Sequence, residues 1–379
     1  MKISKKLRSN LITYAMVIIA YLICQLAMSG EIEGFKMTRA LKGQLVPICV
    51  YIVMAVSLNL TVGISGELSL GHAGFMSVGA FTGIIVSGWL LSAFKGSESF
   101  LAVLSDNTTV RLAIALLAGG VTAGIAGILI GIPVLRLGGD YLAIVTLAFG
   151  EIIRNVFNTL YFAVDGKNLL MAFNDPSGLA GKLLYNGPAG AVSVKKIATF
   201  DMGFVLILFT LFVVLNLINS RSGRAIMAIR DSRIAAESVG LNVTKYKMMA
   251  FVTSAILAGM AGALYGLNYS TVTAAKFKFD TSILVLVFVV LGGIGNIRGS
   301  VIAAAALTLL PELLRSFSNY RMLVYAIVLI LVMLATNSPI LKNAWAWLLR
   351  FKWIQNLADQ AASLKAKLFK KTRKAGDAA

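Results

Sequence analysis

Apolar runs of about twenty residues, parted by short polar stretches, recur along almost the whole chain, and no other feature so restricts its fold. About 20 helical residues cross the hydrocarbon of a bilayer, and inside it every backbone amide must find its partner within the protein. Runs at roughly 11–29, 44–62, 72–94, 111–134, 141–163, 202–219, 248–270, 281–296, 300–316 and 321–337 predict an all-α polytopic membrane protein of about ten transmembrane helices. Charged residues make up 13% of the chain, against about 25% in soluble domains, and mean hydropathy is +0.84.

The net charge of +19 would suit nucleic acid if it lay on one face. The Lys and Arg residues instead sit between apolar runs and at the two ends, as in a multi-pass protein whose cytoplasmic loops are basic. That distribution predicts no nucleic-acid partner and puts both termini in the cytoplasm, with Lys36, Arg39 and Lys42 counting against it. The first run, Leu11 to Met28, is long for a cleaved signal peptide and lacks a small-x-small exit, so it reads as a retained span.

Several chemistries are excluded. Cys24 and Cys49 lie inside apolar runs, and His72 is the single histidine, so neither a disulfide framework nor a metal site is expected. GGIGNIRG, Gly292 to Gly299, fails the dinucleotide fingerprint because Arg298 stands where the third glycine belongs. The GxxxxGK[ST] spacing occurs nowhere, so ATP is not expected to bind this chain by a P-loop; nor is there a GxSxG elbow for hydrolysis.

Residues 1–337 read as a membrane domain and 338–379 as a basic amphipathic tail, in which Trp345, Trp347 and Trp353 lie among lysines suited to an anionic lipid surface. Small residues four apart, such as Ala250, Ser254, Ala258, Gly262 and Gly266, or Gly79 with Gly83, predict close helix packing. Gly-rich breaks at Val62 to Gly74, Leu137 to Asp140 and Gly292 to Gly299 predict broken helices near the centre, where irregular backbone is tolerated only beside protein or a water-filled path. The long connection Asp165 to Phe200, with NDPSGL at Asn174 to Leu179, has too few apolar residues for a core of its own.

One polar stretch stands apart. Residues 220–247 carry Arg221, Arg224, Arg230, Arg233, Lys245 and Lys247 and enclose a short helix from Ser232 to Gly240. Ser232 can cap its first amides and Gly240 can close it in the left-handed region. With Ala235, Ala236 and Val239 on one side, it predicts a cytoplasmic surface for another protein, held at its base by Arg230 and Asp231. Glu237 has two possible partners, that protein or Arg233 one turn away. Candidates for a translocation path are Asn59, Glu67, Ser69 and His72 in and before the first break, with Glu151 and Arg154 on one face of the fifth span. Glu151 and Arg154 equally fit a structural ion pair.

Three stretches together, Ser57 to Gly83, Arg136 to Phe157 and Gly223 to Gly266, followed by GGIGNIRG, closely resemble the permease subunits of branched-chain amino acid ABC transporters, and within them the LivM type. The resemblance implies a bacterial inner-membrane importer for branched-chain amino acids. Its further parts would be a second permease subunit, ATP-binding subunits that hold ATP and Mg, and an extracytoplasmic substrate-binding protein. The segment matching IRDSRIAAESVG would dock into the ATPase through Ala235, Ala236 and Glu237, ahead of Gly240, and the chain itself would be no enzyme. Glu67, where an uncharged residue is expected, leaves room for urea or another small amide as substrate. The rival reading is an ion-coupled secondary transporter with its proton site at Glu151 or His72.

Overall fold

The computed structural model describes residues 5–29, 38–93, 107–135, 141–165, 168–175, 177–178, 181–192, 194–315 and 320–337. The chain divides into two units, Met1–Leu313 and Leu314–Ala379. The first unit runs through α1 (Lys5–Ser29), α2 (Arg39–Asn59), α3 (His72–Ala93), α4 (Thr108–Val134) and α5 (Tyr141–Thr159). It continues through β1 (Leu160–Asp165), β2 (Asn168–Phe173), β3 (Lys182–Asn186), β4 (Ala191–Val192), α6 (Phe200–Asn219), α7 (Arg221–Asp231), α8 (Arg233–Ser238) and α9 (Val243–Gly266). It ends with β5 (Thr271–Val272), α10 (Phe279–Gly292) and α11 (Ile297–Leu313), and the described part of the second unit carries α12 (Arg321–Asn337). The predicted tail 338–379 and the break at Leu137 to Asp140 lie outside the described residues.

Among the described residues, seven helices, α1 to α6 and α9, are long and apolar enough to cross a bilayer. The remaining expected spans fall on α10, α11 and α12, whose 14, 17 and 17 residues fall short of that length. The all-α expectation also needs correction. β1 pairs antiparallel with β2 and β3 in a small sheet, and β4 pairs with β5.

Glycine decides which helices sit at the centre. Without a side chain, two helix backbones can touch, and packing of that kind holds helices together where lipid removes the hydrophobic drive between them. Gly79 of α3 meets the backbone of Gly259 on α9, and a Cβ at Gly259 would lie 2.3 Å from Ala123 Cβ and 2.4 Å from Gly119 O of α4. The row Ala250, Ser254, Ala258, Gly262 and Gly266 faces α2 and α3: Gly262 lies on Met76, Gly266 on Ala80, and Ser254 Oγ donates to Ser57 O at 2.6 Å. α4 crosses this pair with Gly120 near Met260, Gly124 near Ile256 and Gly131 near Met248, so it runs antiparallel to α9.

The pairing of Gly79 with Gly259 and Gly83 with Ala263 makes α3 and α9 parallel and fixes their register. By that register His72 is level with Val252, about 13 Å past the start of α9 at 1.5 Å per residue. α3 therefore begins inside the bundle. Ala73 N–H donates to Ser282 Oγ at 3.0 Å, so α10 begins at a similar depth. The 293–296 turn, in contrast, is not central. A Cβ at Gly63 would lie 2.3 Å from Gly295 N, which places both turns at the end carrying α7 and α8, here called the loop end. Their glycines serve close approach and chain reversal, with φ of 75° at Gly66, 92° at Gly293 and 81° at Gly295.

At the opposite end the 160–186 segment has no separate core, yet it is tied down. Tyr185 packs on Phe81 and Phe157 and donates to Phe157 O at 2.8 Å. In the NDPSGL turn the Asp175 carboxylate accepts from Ser177 N–H at 2.9 Å and Ser177 Oγ at 2.8 Å, which holds its pKa below the usual value.

Gly259→Leu should cost more than the ~1–3 kcal/mol usual for overpacking, because backbone blocks the new side chain. Gly43→Ala, with nothing within 4 Å, should be neutral or stabilising. Recovery of monodisperse protein in detergent reads both; equal recovery would contradict the packing account.

Candidate functional site

The 220–247 segment folds as three pieces whose ends are set by short polar side chains. Ser220 Oγ caps α7 by accepting from Gly223 N–H at 3.0 Å. Ser232 Oγ caps α8 by accepting from Ala235 N–H at 3.3 Å. Gly240, at φ 81°, ends α8: its N–H donates to Glu237 O and that of Leu241 to Ala236 O, which satisfies two carbonyls the helix would leave open.

The sequence placed Ala235, Ala236 and Val239 on one side of α8, and the structure separates them. Ala236 is buried against Ile229 and Val243, with Leu241 and Tyr246 packed around. Ala235 points outward with Ile234 and Val239, which are 81% and 75% exposed. The outer face is thus apolar and uncovered in this chain, while Ala236 is the anchor. Glu237 accepts from Arg233 Nε at 2.9 Å, so within this chain its partner is Arg233.

Arg230 and Asp231, at the end of α7, do more than hold α8. Arg230 Nε and Nη2 both donate to Asp231 Oδ1, at 3.1 and 3.0 Å, and Nη1 donates to Gly63 O at 2.9 Å. That carbonyl lies in the π-helical turn Leu60–Ile64 that ends α2. Lys247, one turn into α9, pairs with Glu67; their side chains are only 14% and 12% exposed. Glu67, singled out as an unexpected charge, is thereby neutralised.

The remaining candidates gather around the same turn and the start of α3. Asn59 is fully buried; its Oδ1 accepts from Gly295 N–H and its Nδ2 donates to Ser300 Oγ, both at 2.8 Å. Ser57 Oγ donates to Met54 O at 2.9 Å and lies 2.8 Å from His72 Nε2, so the ring nitrogen is assigned the proton and donates to Ser57. Ser69 is buried, and among the described residues its hydroxyl has no hydrogen-bond partner. Glu151 and Arg154 form an ion pair at 2.7 Å, one turn apart on α5.

Depth separates this pair from ordinary surface charge. A Cβ at Gly74 would meet Gly150 Cα at 2.9 Å, so Glu151 stands at the level where α3 begins. Glu151 and Lys278 line one cavity of about 10 Å³ with Leu70, Ala73, Gly150 and Ser282, room for a single water. Lys276 and Lys278, just ahead of α10, and Asp280, in its first turn, are exposed. The sequence reading passed over these three, although KFKFD before an apolar run is a visible signal. Two helix N-termini, those of α3 and α10, meet here, and both favour negative charge.

Residues 41–333 match the family described as "Branched-chain amino acid transport system / permease component". "High-affinity branched-chain amino acid transport system permease protein LivM" of Salmonella typhimurium is 35% identical over 75% of this chain and 66% of its own length. The Escherichia coli protein of the same name is 34% identical over the same shares. "Ribose import permease protein RbsC" of Escherichia coli is 26% identical over 75% of this chain and 81% of its own. The chain thus covers slightly under two thirds of the length of these two LivM proteins. No solved structure gives a significant match.

Glu67→Gln leaves Lys247 largely buried without its counter-charge and should destabilise by about 2 kcal/mol, less than the ~3–5 kcal/mol of a fully buried pair. The exchange Glu67→Lys with Lys247→Glu should recover most of that. Thermal unfolding of purified protein reads both, and a single variant as stable as the parent would contradict the pairing.

Proposed function

The chain belongs to the family of branched-chain amino acid transport permease components, and from that premise we propose that it is the LivM-type membrane subunit of an ATP-driven importer for branched-chain amino acids. α10, α11 and α12 complete ten crossings, both termini face the cytoplasm of a bacterium, and the loop end is the cytoplasmic end. ATP and Mg are held by separate ATP-binding subunits. An extracytoplasmic binding protein delivers the substrate, and a second permease subunit completes the membrane part.

The observation that carries this reading is α8. A helix of six residues with Ile234 and Val239 turned out, fixed from behind by Ala236 and by Arg230, is built to receive force from another protein. Helix termini and apolar side chains placed this way among cations would be poorly served by water or by lipid. The same segment fits the ATPase-docking role implied by the family.

The path is proposed to pass the cluster at the start of α3 and α10. Charges facing lipid at mid-depth are costly, so Lys276, Lys278 and Asp280 call for protein or water in front of them, and a second permease subunit supplies both. Asn59, Glu67, Ser69 and His72 then support the path from behind. A proton-coupled transporter is less well supported, since Glu151 is paired with Arg154 and His72 donates to Ser57 inside the bundle. For apolar substrates one methylene is worth only about 1–3 kcal/mol, so selection among Leu, Ile and Val is assigned to the binding protein. The lower identity to a ribose permease leaves the branched-chain assignment as the better one.

Ile234→Glu and Val239→Glu should each lower the amount of ATPase that co-purifies with this chain at least tenfold, a loss of about 1.4 kcal/mol or more in binding, without reducing yield of the folded subunit. ATP-driven leucine uptake into vesicles should fall in proportion. Undiminished ATPase recovery from both variants would overturn the docking assignment.

A further inference from the structure

Arg230 joins α7 to a carbonyl of a different helix, and its stem lies where any side chain on Gly66 would go: a Cβ there would be 2.5 Å from Arg230 Cγ. Gly63 O belongs to the last turn of a helix, where carbonyls lack a donor from their own helix, and a guanidinium from α7 supplies one. Four residues before it, Asn59 accepts from Gly295 N–H in the 293–296 turn and donates to Ser300 Oγ in the first turn of α11. On the far side of α8, Lys247 holds Glu67. The segment that carries α8 thus grips one turn at two points, and that turn is pinned to a second through a buried amide and direct backbone contact at Gly63 and Gly295.

Resting on the importer reading above, we propose that Arg230 is a positioning residue for transport: it transmits displacement of α8 into the α2–α3 turn, and Asn59 passes it on to the α10–α11 turn. The two loop-end turns move with the ATPase as one body. Arg230 is suited to the task because its planar fork is fixed by Asp231 on one edge while the other edge holds Gly63, so the link is stiff. No other described side chain of α7 or α8 is shown bonding to the α2–α3 turn.

The test uses the whole importer, purified from its own membranes through a tag on this chain and reconstituted in vesicles with its binding protein, leucine and ATP. Per ATPase retained in the complex, Arg230→Ala should keep ATP hydrolysis, while leucine taken up per ATP hydrolysed falls at least roughly fivefold, the lower range of measured site-to-site coupling. Arg230→Lys retains one donor for Gly63 O and should give an intermediate ratio; it also serves if the alanine variant yields too little protein. Uptake and hydrolysis falling together at constant ratio, in either variant, would overturn the proposal and make Arg230 purely structural. Loss of ATPase from the complex would overturn it in favour of docking. Absence of ATP-dependent leucine uptake by the unaltered importer would instead remove the importer reading itself, and the transmission role with it.

Discussion

Backbone contact between glycines at the crossing of α3, α4 and α9 is the constraint on which the rest depends. Gly79, Gly119 and Gly259 bring three helices to the distance where carbonyl meets Cα. Lipid gives apolar side chains no reason to prefer each other, so close fit and a few interhelical hydrogen bonds must do the work, each bond contributing about 0.6 kcal/mol on average. The contact also sets the register that starts α3 inside the bundle and brings His72 to Ser57. It leaves the 60–71 turn within reach of Arg230 and Lys247.

From this register follows a division of labour along the bundle. At the loop end, Arg230, Asp231, Arg233, Glu237, Lys247 and Glu67 are satisfied by each other or by a backbone carbonyl, and the apolar outer face of α8 is left over. At mid-depth the leftover is polar: exposed charges ahead of α10 and the unpartnered Ser69 hydroxyl behind α3. Each surface is marked by what the single chain leaves unsatisfied. In the proposed function the apolar face among cations receives a protein partner, and the charges level with the start of α3 line a polar path.

Much of this was legible in the residues. Apolar runs located the seven long helices, and Ser232 with Gly240 bounded α8, because caps depend on local chemistry alone. What depends on the partner across a gap was not legible. Nothing in the segment itself tells that Ala236 turns in and Val239 out, since the burying residues Ile229 and Val243 belong to flanking helices. Glu67 and Lys247 are 180 residues apart, so their pairing has no local signature. Gly259 stands outside the four-residue row yet makes one of the tightest helix contacts. The small sheet was overlooked because its anchor, Tyr185, is buried against Phe81 and Phe157 of the helices rather than in a core of its own.

The central claim is that α8 and the α2–α3 turn form one mechanical unit. Spin labels at Ser238, on α8, and at Leu68, exposed in the turn, allow their separation to be measured by pulsed electron resonance in the assembled importer, with and without ATP. The account predicts that this distance stays constant while a label at Leu68 shifts relative to one at Val192 at the sheet end. A change between Ser238 and Leu68 on ATP binding, with Leu68 fixed relative to Val192, would contradict it.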